Sequence, residues 1–166
     1  TLAHPFSKAY ALGCAAWFNL YLRDTKTALA RAREAVDLSV EQGFLWWQVW
    51  GTILGGRALA DTGTPAVSVA QIKGGIDGWR MTGSGFTIPY FLALQAEACR
   101  ADGRTDEGLA LVAEARELIA AIGRVESDHG RVNGNTLNDR GLATPGIYGI
   151  PLDGTNNTAV IRDTDA

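Results

Sequence analysis

The sequence predicts an all-α protein: an α-solenoid of three antiparallel helix hairpins, followed by an irregular C-terminal tail. Three observations lead to this fold class. Residues 1–125 repeat with a period of forty. Each repeat holds two stretches in which apolar residues recur about every 3.6 positions. Residues 126–166 are rich in Gly, Asn, Asp and Thr and lack this pattern, so we expect them to be irregular or disordered.

The repeat becomes visible when the sequence is shifted by forty residues. Aromatic residues then align in two columns, which are Phe6/Trp46/Phe86 and Tyr10/Trp50/Tyr90. Small residues align in two further columns, which are Ala16/Gly56/Ala96 and Ala28/Ser68/Gly108. Because a bulky side chain would push two packed helices apart, the small columns predict where the helices of each pair cross. One pair cannot bury its apolar face alone, so neighbouring pairs are expected to share a core.

Each repeat divides into a first and a second helix. The first helices are predicted at residues 5–22, 44–61 and 87–102. The second helices are predicted at residues 25–42, 65–81 and 105–122. Asp24 and Thr64 lie where second helices begin and are good N-terminal caps. Gly43, Gly83 and Gly123 lie where second helices should end, since glycine readily takes the left-handed conformation that closes a helix.

Helix pairs with small crossing residues and glycine turns resemble tetratricopeptide repeats, although forty residues exceeds the usual ~34. The stretches HPFSKAYALGCAAW, GFLWWQVWGTILGGRALADTG and PYFLALQAEACRADGRTDEGLALVAEARELIAAIG resemble the C-terminal repeat arrays of large bacterial signalling ATPases. Such arrays follow an ATPase domain and often share the chain with a class III adenylate/guanylate cyclase or a helix-turn-helix domain. The resemblance covers residues 4 to about 124 and implies a regulatory module. Since the sequence contains no Walker loop or cyclase metal site, any such activity would lie outside this chain.

Composition and charge narrow the function classes further. The 166 residues carry a formal charge of −3 with acids and bases interspersed, so no basic stripe predicts nucleic-acid binding. No apolar run reaches the ~18 residues of a membrane span. Neither Cys14 and Cys99 nor His4 and His129 have a metal-binding spacing. We therefore expect a cytoplasmic, non-enzymatic protein without a cofactor, a metal, a nucleic-acid partner or a membrane.

The tetratricopeptide resemblance predicts that the first helix of each pair lines a concave binding groove. It assigns to this groove Tyr10, Trp17, Tyr21, Trp50, Ile53, Arg57, Asp61, Tyr90, Ala93, Glu97 and Arg100. Within a helix, separations of seven and four residues return to one face, which agrees independently. Aromatic rings and arginine are the residues that most often anchor a bound partner. The expected ligand is a protein or peptide, or another domain of the same parent protein.

Other interpretations of these residues stay open. Tyr10, Trp50 and Tyr90 can instead fill the seam between adjacent hairpins, burying ~150–250 Å² each. An Arg57–Glu97 pair can bridge neighbouring repeats. The alternative function is a small-molecule sensor in which the aromatic columns cage an apolar effector and the tail acts as a lid. A third interpretation is a part of a cyclase whose catalytic residues lie elsewhere.

Three tryptophans crowd into the stretch GFLWWQVW. Trp46 and Trp50 belong to the aromatic columns, whereas Trp47 is rotated by about 100° around the helix and aligns with Ser7 and Thr87. Trp47 is therefore predicted to face either the preceding hairpin or an outer contact.

Both ends of the repeat array are expected to expose apolar surface, because no capping helix is predicted at either end. Such ends favour self-association. In the tail, a short extended piece is predicted at Gly146–Leu152, packed on the last hairpin.

Overall fold

The computed structural model describes residues 4–127, 136–137 and 143–144, and the first of these ranges is mostly helical. The helices in these residues are α1 Pro5–Tyr21, α2 Thr25–Gln42, α3 Leu45–Ala60, α4 Pro65–Met81, α5 Ile88–Ala101 and α6 Thr105–Ser127. Their bounds agree with the predicted helices to within one residue, except at the end of α6. The prediction of a helical fold is therefore confirmed.

The ends of the helices show which capping predictions were correct. The backbone N–H of Thr27 donates to Asp24 Oδ1 at 3.0 Å, so Asp24 caps α2. Thr64 directly precedes α4, but its side chain makes no capping hydrogen bond, so this capping prediction was wrong. Gly43 and Gly83 have φ of 70° and 77° and lie directly after α2 and close to the end of α4. The predicted end at Gly123 was wrong, because α6 continues to Ser127. A glycine costs a helix only about 0.5–1 kcal/mol, and the next four residues, RVES, contain no helix breaker.

The turns inside the three helix pairs share one backbone conformation. Residues 23, 63 and 103 are forty apart, and each has a left-handed φ, at 58° for Arg23, 85° for Gly63 and 76° for Gly103. This conformation costs a residue other than glycine roughly 1–2 kcal/mol. Because Arg23 adopts it nevertheless, the packing of α1 and α2 determines the turn more strongly than local preference does.

The helix α3 lies at the centre of the packing and contacts α1, α2, α4 and α5. Large side chains that are almost fully buried form the core around it, and these are Ile53, Leu54, Ile72, Ile76, Trp79 and Phe91. The predicted small columns are buried as well, at Ala16, Gly56, Ala96, Ala28, Ser68 and Gly108. A methyl group on Gly56 would lie 2.7 Å from Ile72 Cγ1, so no larger residue fits at this crossing of α3 and α4 without a shift.

The aromatic column Phe6/Trp46/Phe86 does not keep one environment. Phe6 in α1 is 47% exposed, Trp46 in α3 is half-buried, and Phe86 precedes α5 and is 73% exposed. Pro89 explains why Phe86 lies outside α5, since proline favours the first turn of a helix and begins this one after Phe86.

The chain divides into two compact units, Thr1–Arg116 and Glu117–Ala166. In the second unit, the strands β1 Thr136–Leu137 and β2 Ala143–Thr144 pair antiparallel. The extended piece predicted at Gly146–Leu152 lies outside the described residues. Among the helices of residues 4–127, none combines the length and the apolar character needed to cross a membrane.

Candidate functional site

Four of the predicted groove residues meet in an aromatic cluster, which consists of Trp17, Tyr21, Trp50 and Tyr90. Trp17 of α1 lies at its centre. Its ring centroid is 5.7 Å from that of Trp50 in α3 and 5.8 Å from that of Tyr90 in α5. Tyr21, one turn further along α1, lies 6.0 Å from Trp17. The cluster therefore receives side chains from the first helix of every pair.

A hydrogen bond fixes the centre of the aromatic cluster. Trp17 Nε1 donates to the hydroxyl oxygen of Tyr90 at 2.8 Å. Burial raises the pKa of the Tyr90 hydroxyl, and the neighbouring Tyr21 hydroxyl raises it further. Tyr90 is therefore neutral at physiological pH and accepts this hydrogen bond without a charge. Tyr21 is 63% exposed, so the cluster presents one open aromatic edge to solvent.

The second part of the predicted groove is an ion network around Arg57, which lies two helical turns from Trp50 on the same face of α3. Arg57 Nε lies 2.6 Å from Glu97 Oε2 in α5. Arg57 Nη1 lies 2.9 Å from Asp61 Oδ1, close enough for an ion pair but without hydrogen-bond alignment. The hydroxyl of Thr25 donates to Asp61 Oδ2 at 3.3 Å. The predicted Arg57–Glu97 pair is thus confirmed, and it joins α3 to α5.

In the ion network, the two carboxylates are exposed to solvent and the guanidinium is largely buried. The Arg57 side chain is 16% exposed, whereas those of Asp61 and Glu97 are 46% and 53% exposed. Burial alone would lower the pKa of Arg57, but the hydrogen bond from Arg57 to Glu97 and the charges of Glu97 and Asp61 outweigh burial and raise it. Arg57 therefore stays charged. Two carboxylates around one guanidinium leave a net negative charge beside the aromatic cluster.

Within the described residues, the remaining predicted groove residues form no aromatic pair or ion pair with these two groups. Tyr10 is 51% exposed and packs on Trp47 at a centroid distance of 5.2 Å. Arg100 and Ala93 are exposed on α5. Ile53 is fully buried, so its assignment to a groove was wrong. Its side chain lies at the α3–α4 crossing, where Gly75 leaves room for it.

Trp47 packs on Trp50 of the aromatic cluster, with ring centroids 5.5 Å apart, and faces the preceding hairpin, which is one of its two predicted positions. Its side chain is 7% exposed, and its centroid lies 5.5 Å from that of Phe6 in α1. Sequence reasoning missed Trp79, which is fully buried 4.4 Å from Trp46 and 5.0 Å from Phe91. The forty-residue shift aligns Trp79 with non-aromatic residues, so only the apolar stripe of α4 could have revealed its place.

Within the part of the chain that the structure describes, no three or more His, Cys, Asp or Glu side chains come together as a metal site would require. Comparisons with protein-family models, curated proteins and solved structures find no match to this chain. The resemblance to tetratricopeptide arrays stays a prediction.

Proposed function

We propose that this chain is a non-enzymatic, regulatory protein-interaction module, an α-solenoid of three tetratricopeptide-like helix pairs that binds a peptide segment along its first helices. The segment belongs to a partner protein or to another domain of the parent protein, which the sequence resemblance makes a bacterial signalling ATPase or cyclase-linked regulator. The observation that carries the proposal is the aromatic cluster, because α1, α3 and α5 each contribute a side chain to it beside one ion network.

The repeated contacts between helices support the solenoid arrangement. The helix α3 packs on both helices of the preceding pair, α1 and α2. The helix α5 packs in the same way on α3 and α4. The shared left-handed turns at residues 23, 63 and 103 support it as well. In such a stack the first helices lie side by side and form one extended surface.

The chemistry of this surface favours a peptide that carries an apolar side chain next to a basic one. The open edge of the cluster at Tyr21 offers aromatic area at a low entropic cost. Glu97 lies two turns from Tyr90 on the same face of α5, and its carboxylate is half exposed with one interaction already made to Arg57. A lysine or arginine of the ligand can reach Glu97 and Asp61, because the network carries one uncompensated negative charge.

A displayed random-peptide library selected on the full chain tests this proposal. We expect the selected peptides to pair an aromatic or aliphatic residue with Lys or Arg. Their affinity should fall at least about tenfold, or about 1.4 kcal/mol, with either Tyr21→Ser or Glu97→Gln. Glu114→Gln is the matched control, since Glu114 also pairs with an arginine on another helix, Arg80 at 2.8 Å, and is 46% exposed.

Other outcomes of the selection would overturn the proposal. Peptides that bind equally well to the Tyr21 and Glu97 variants would place the interaction elsewhere. If no peptide is selected and a metabolite changes the tryptophan emission of the chain at micromolar concentration, the small-molecule sensor is the better description. Melting temperatures of both variants serve to separate lost binding from lost folding.

A further inference from the structure

The exposed ring of Tyr21 lies beside one acid of the ion network. Tyr21 at the end of α1 and Asp61 directly after α3 hold equivalent positions forty residues apart, and α1 packs on α3. The hydroxyl of Thr25, four residues beyond Tyr21, donates to Asp61 Oδ2 at 3.3 Å, so Asp61 lies against the end of α1. The next pair of equivalent positions, Arg57 and Glu97, meets in the same way at 2.6 Å. A ligand side chain on Tyr21 is therefore within reach of a carboxylate.

The second acid, Glu97, approaches the same place from α5. Burial, the Tyr21 hydroxyl and the charge of Glu97 all raise the pKa of Tyr90, so both of these groups lie close to Tyr90. Trp17 donates to the Tyr90 hydroxyl, and its ring packs on Tyr21. Arg100 follows Glu97 by three residues and is exposed, and among the described residues no ion pair joins their side chains. Two carboxylates from different helices thus flank one exposed ring.

Both carboxylates keep the capacity to accept another donor. Glu97 meets Arg57 through Oε2, and Asp61 meets it through Oδ1, while about half of each acidic side chain is exposed. A carboxylate offers about four lone-pair sites, so one or two interactions do not saturate it. Because Arg57 is largely buried, it holds the two acids from the protein side and leaves their solvent side open.

We propose that the basic side chain of the bound peptide is arginine rather than lysine, with its guanidinium on the ring of Tyr21 and its N–H groups shared between Asp61 and Glu97. A guanidinium is planar and weakly hydrated and carries several donors, so it can stack on a ring and bridge two carboxylates at once. An ammonium group is compact and strongly hydrated, and it has no flat face for the ring. The inference rests on the peptide-binding function proposed above and names the residue that the site selects.

Three dipeptide amides test this preference without a selected ligand. They are acetyl-phenylalanyl-arginine amide, its lysine counterpart and its citrulline counterpart, which keeps the shape of arginine without the charge. Each is titrated into the isotope-labelled full chain, and the indole N–H resonance of Trp17, identified by its loss in Trp17→Phe, reports binding. The arginine dipeptide should bind about fivefold tighter than the lysine dipeptide, the size of one cation–π contact at an exposed site. The citrulline dipeptide should bind weakest, since it has no charge for the two carboxylates.

Variants of the chain locate the preference. Tyr21→Phe keeps the ring and should keep the preference for arginine, whereas Tyr21→Leu removes the ring and should make the arginine and lysine dipeptides bind equally. Asp61→Asn removes one end of the bridge and should reduce the preference as well. Asp77→Asn is the matched control, since Asp77 also lies near an arginine close in sequence, Arg80 at 3.6 Å, and is 58% exposed. Circular dichroism confirms that each variant is folded.

The outcomes separate this inference from the function on which it rests. Equal binding of the arginine and lysine dipeptides to the unaltered chain would overturn the arginine site and leave peptide binding in place. A preference that persists in Tyr21→Leu and Asp61→Asn would also overturn it, since the arginine would then bind elsewhere. If none of the three dipeptides binds, the arginine site is overturned too, and the library selection decides separately whether the peptide-binding function stands.

Discussion

Two neighbouring glycines of α4 provide a direct test of the packing at the centre of the molecule. Gly74 is exposed, and a methyl group placed on it would meet nothing within 4 Å. On Gly75 the same methyl group would lie 2.5 Å from Cγ1 of Ile53 and 3.4 Å from its backbone nitrogen. We therefore expect Gly74→Ala and Gly75→Ala to change the free energy of unfolding in different directions.

Two effects set the change in the free energy of unfolding. The helix preference of alanine acts in both variants, and overpacking acts only in Gly75→Ala. Alanine in place of glycine favours a helix by roughly 0.5–1 kcal/mol, so Gly74→Ala should stabilise the protein by about this amount. Gly75→Ala gains the same helix preference but forces the fully buried Ile53 to move. Overpacking of this kind costs about 1–3 kcal/mol. Because the helix preference cancels, the two variants should differ by about 1–3 kcal/mol.

Urea unfolding followed by helical circular dichroism measures both free energies on the same protein. The slope with denaturant should stay equal in the two variants, since neither changes the surface exposed on unfolding. Equal stabilisation by the two alanines would refute the reasoning, because it would mean that α3 and α4 do not approach each other at Gly75 and Ile53.

Two further predictions concern an aromatic side chain and a helix cap. Trp47→Ala should lower the free energy of unfolding by about 3–5 kcal/mol, since it removes a buried ring between α1 and α3, and a change below ~1 kcal/mol in urea would place Trp47 on the surface. The hydrogen bond from the Thr27 backbone N–H lowers the pKa of Asp24, so its stabilising effect exists above pH ~4 and is lost as the pH falls through the lowered value. Asp24→Asn keeps a capping oxygen but does not titrate, so the stability difference between the two proteins should shrink on acidification, whereas a difference independent of pH between 7 and 3 would contradict the cap.

The helices could be predicted because residues close to each boundary in the sequence determine where the helix begins or ends. Asp24, Gly43 and Pro65 act through hydrogen bonds and torsions of their own neighbourhood, and apolar spacing gives the length between them. The end of α6 was predicted wrongly because a single glycine favours the end of a helix but does not impose it. The helix therefore continues past Gly123. A single sequence is therefore enough to predict a helix boundary when the neighbouring residues alone determine it.

The site was only partly predictable, because its residues come together through packing between pairs. The face of each first helix follows from spacing, so Trp17, Trp50 and Tyr90 could be grouped in advance. Their meeting at one point depends on the angle at which α1, α3 and α5 pack, which no spacing reveals. Ile53 was assigned wrongly to the groove. The spacing of residues identifies one face of α3, but it does not show which residues at the margin of that face pack against α4.

The equivalent positions Trp17, Arg57 and Glu97 show why some positions of a structural repeat need a different residue type in each copy. Neighbouring first helices bring equivalent positions together, and Arg57 and Glu97, forty residues apart, are in contact at 2.6 Å. A charge repeated in this column would face a like charge at the same distance, which repels, whereas opposite charges attract. A stack of similar helices is therefore favoured when its charged columns alternate or change class. The change from Arg57 to Glu97 at equivalent positions thus stabilises the pairing of α3 with α5. It also leaves the exposed carboxylate of Glu97, on which the proposed peptide recognition depends.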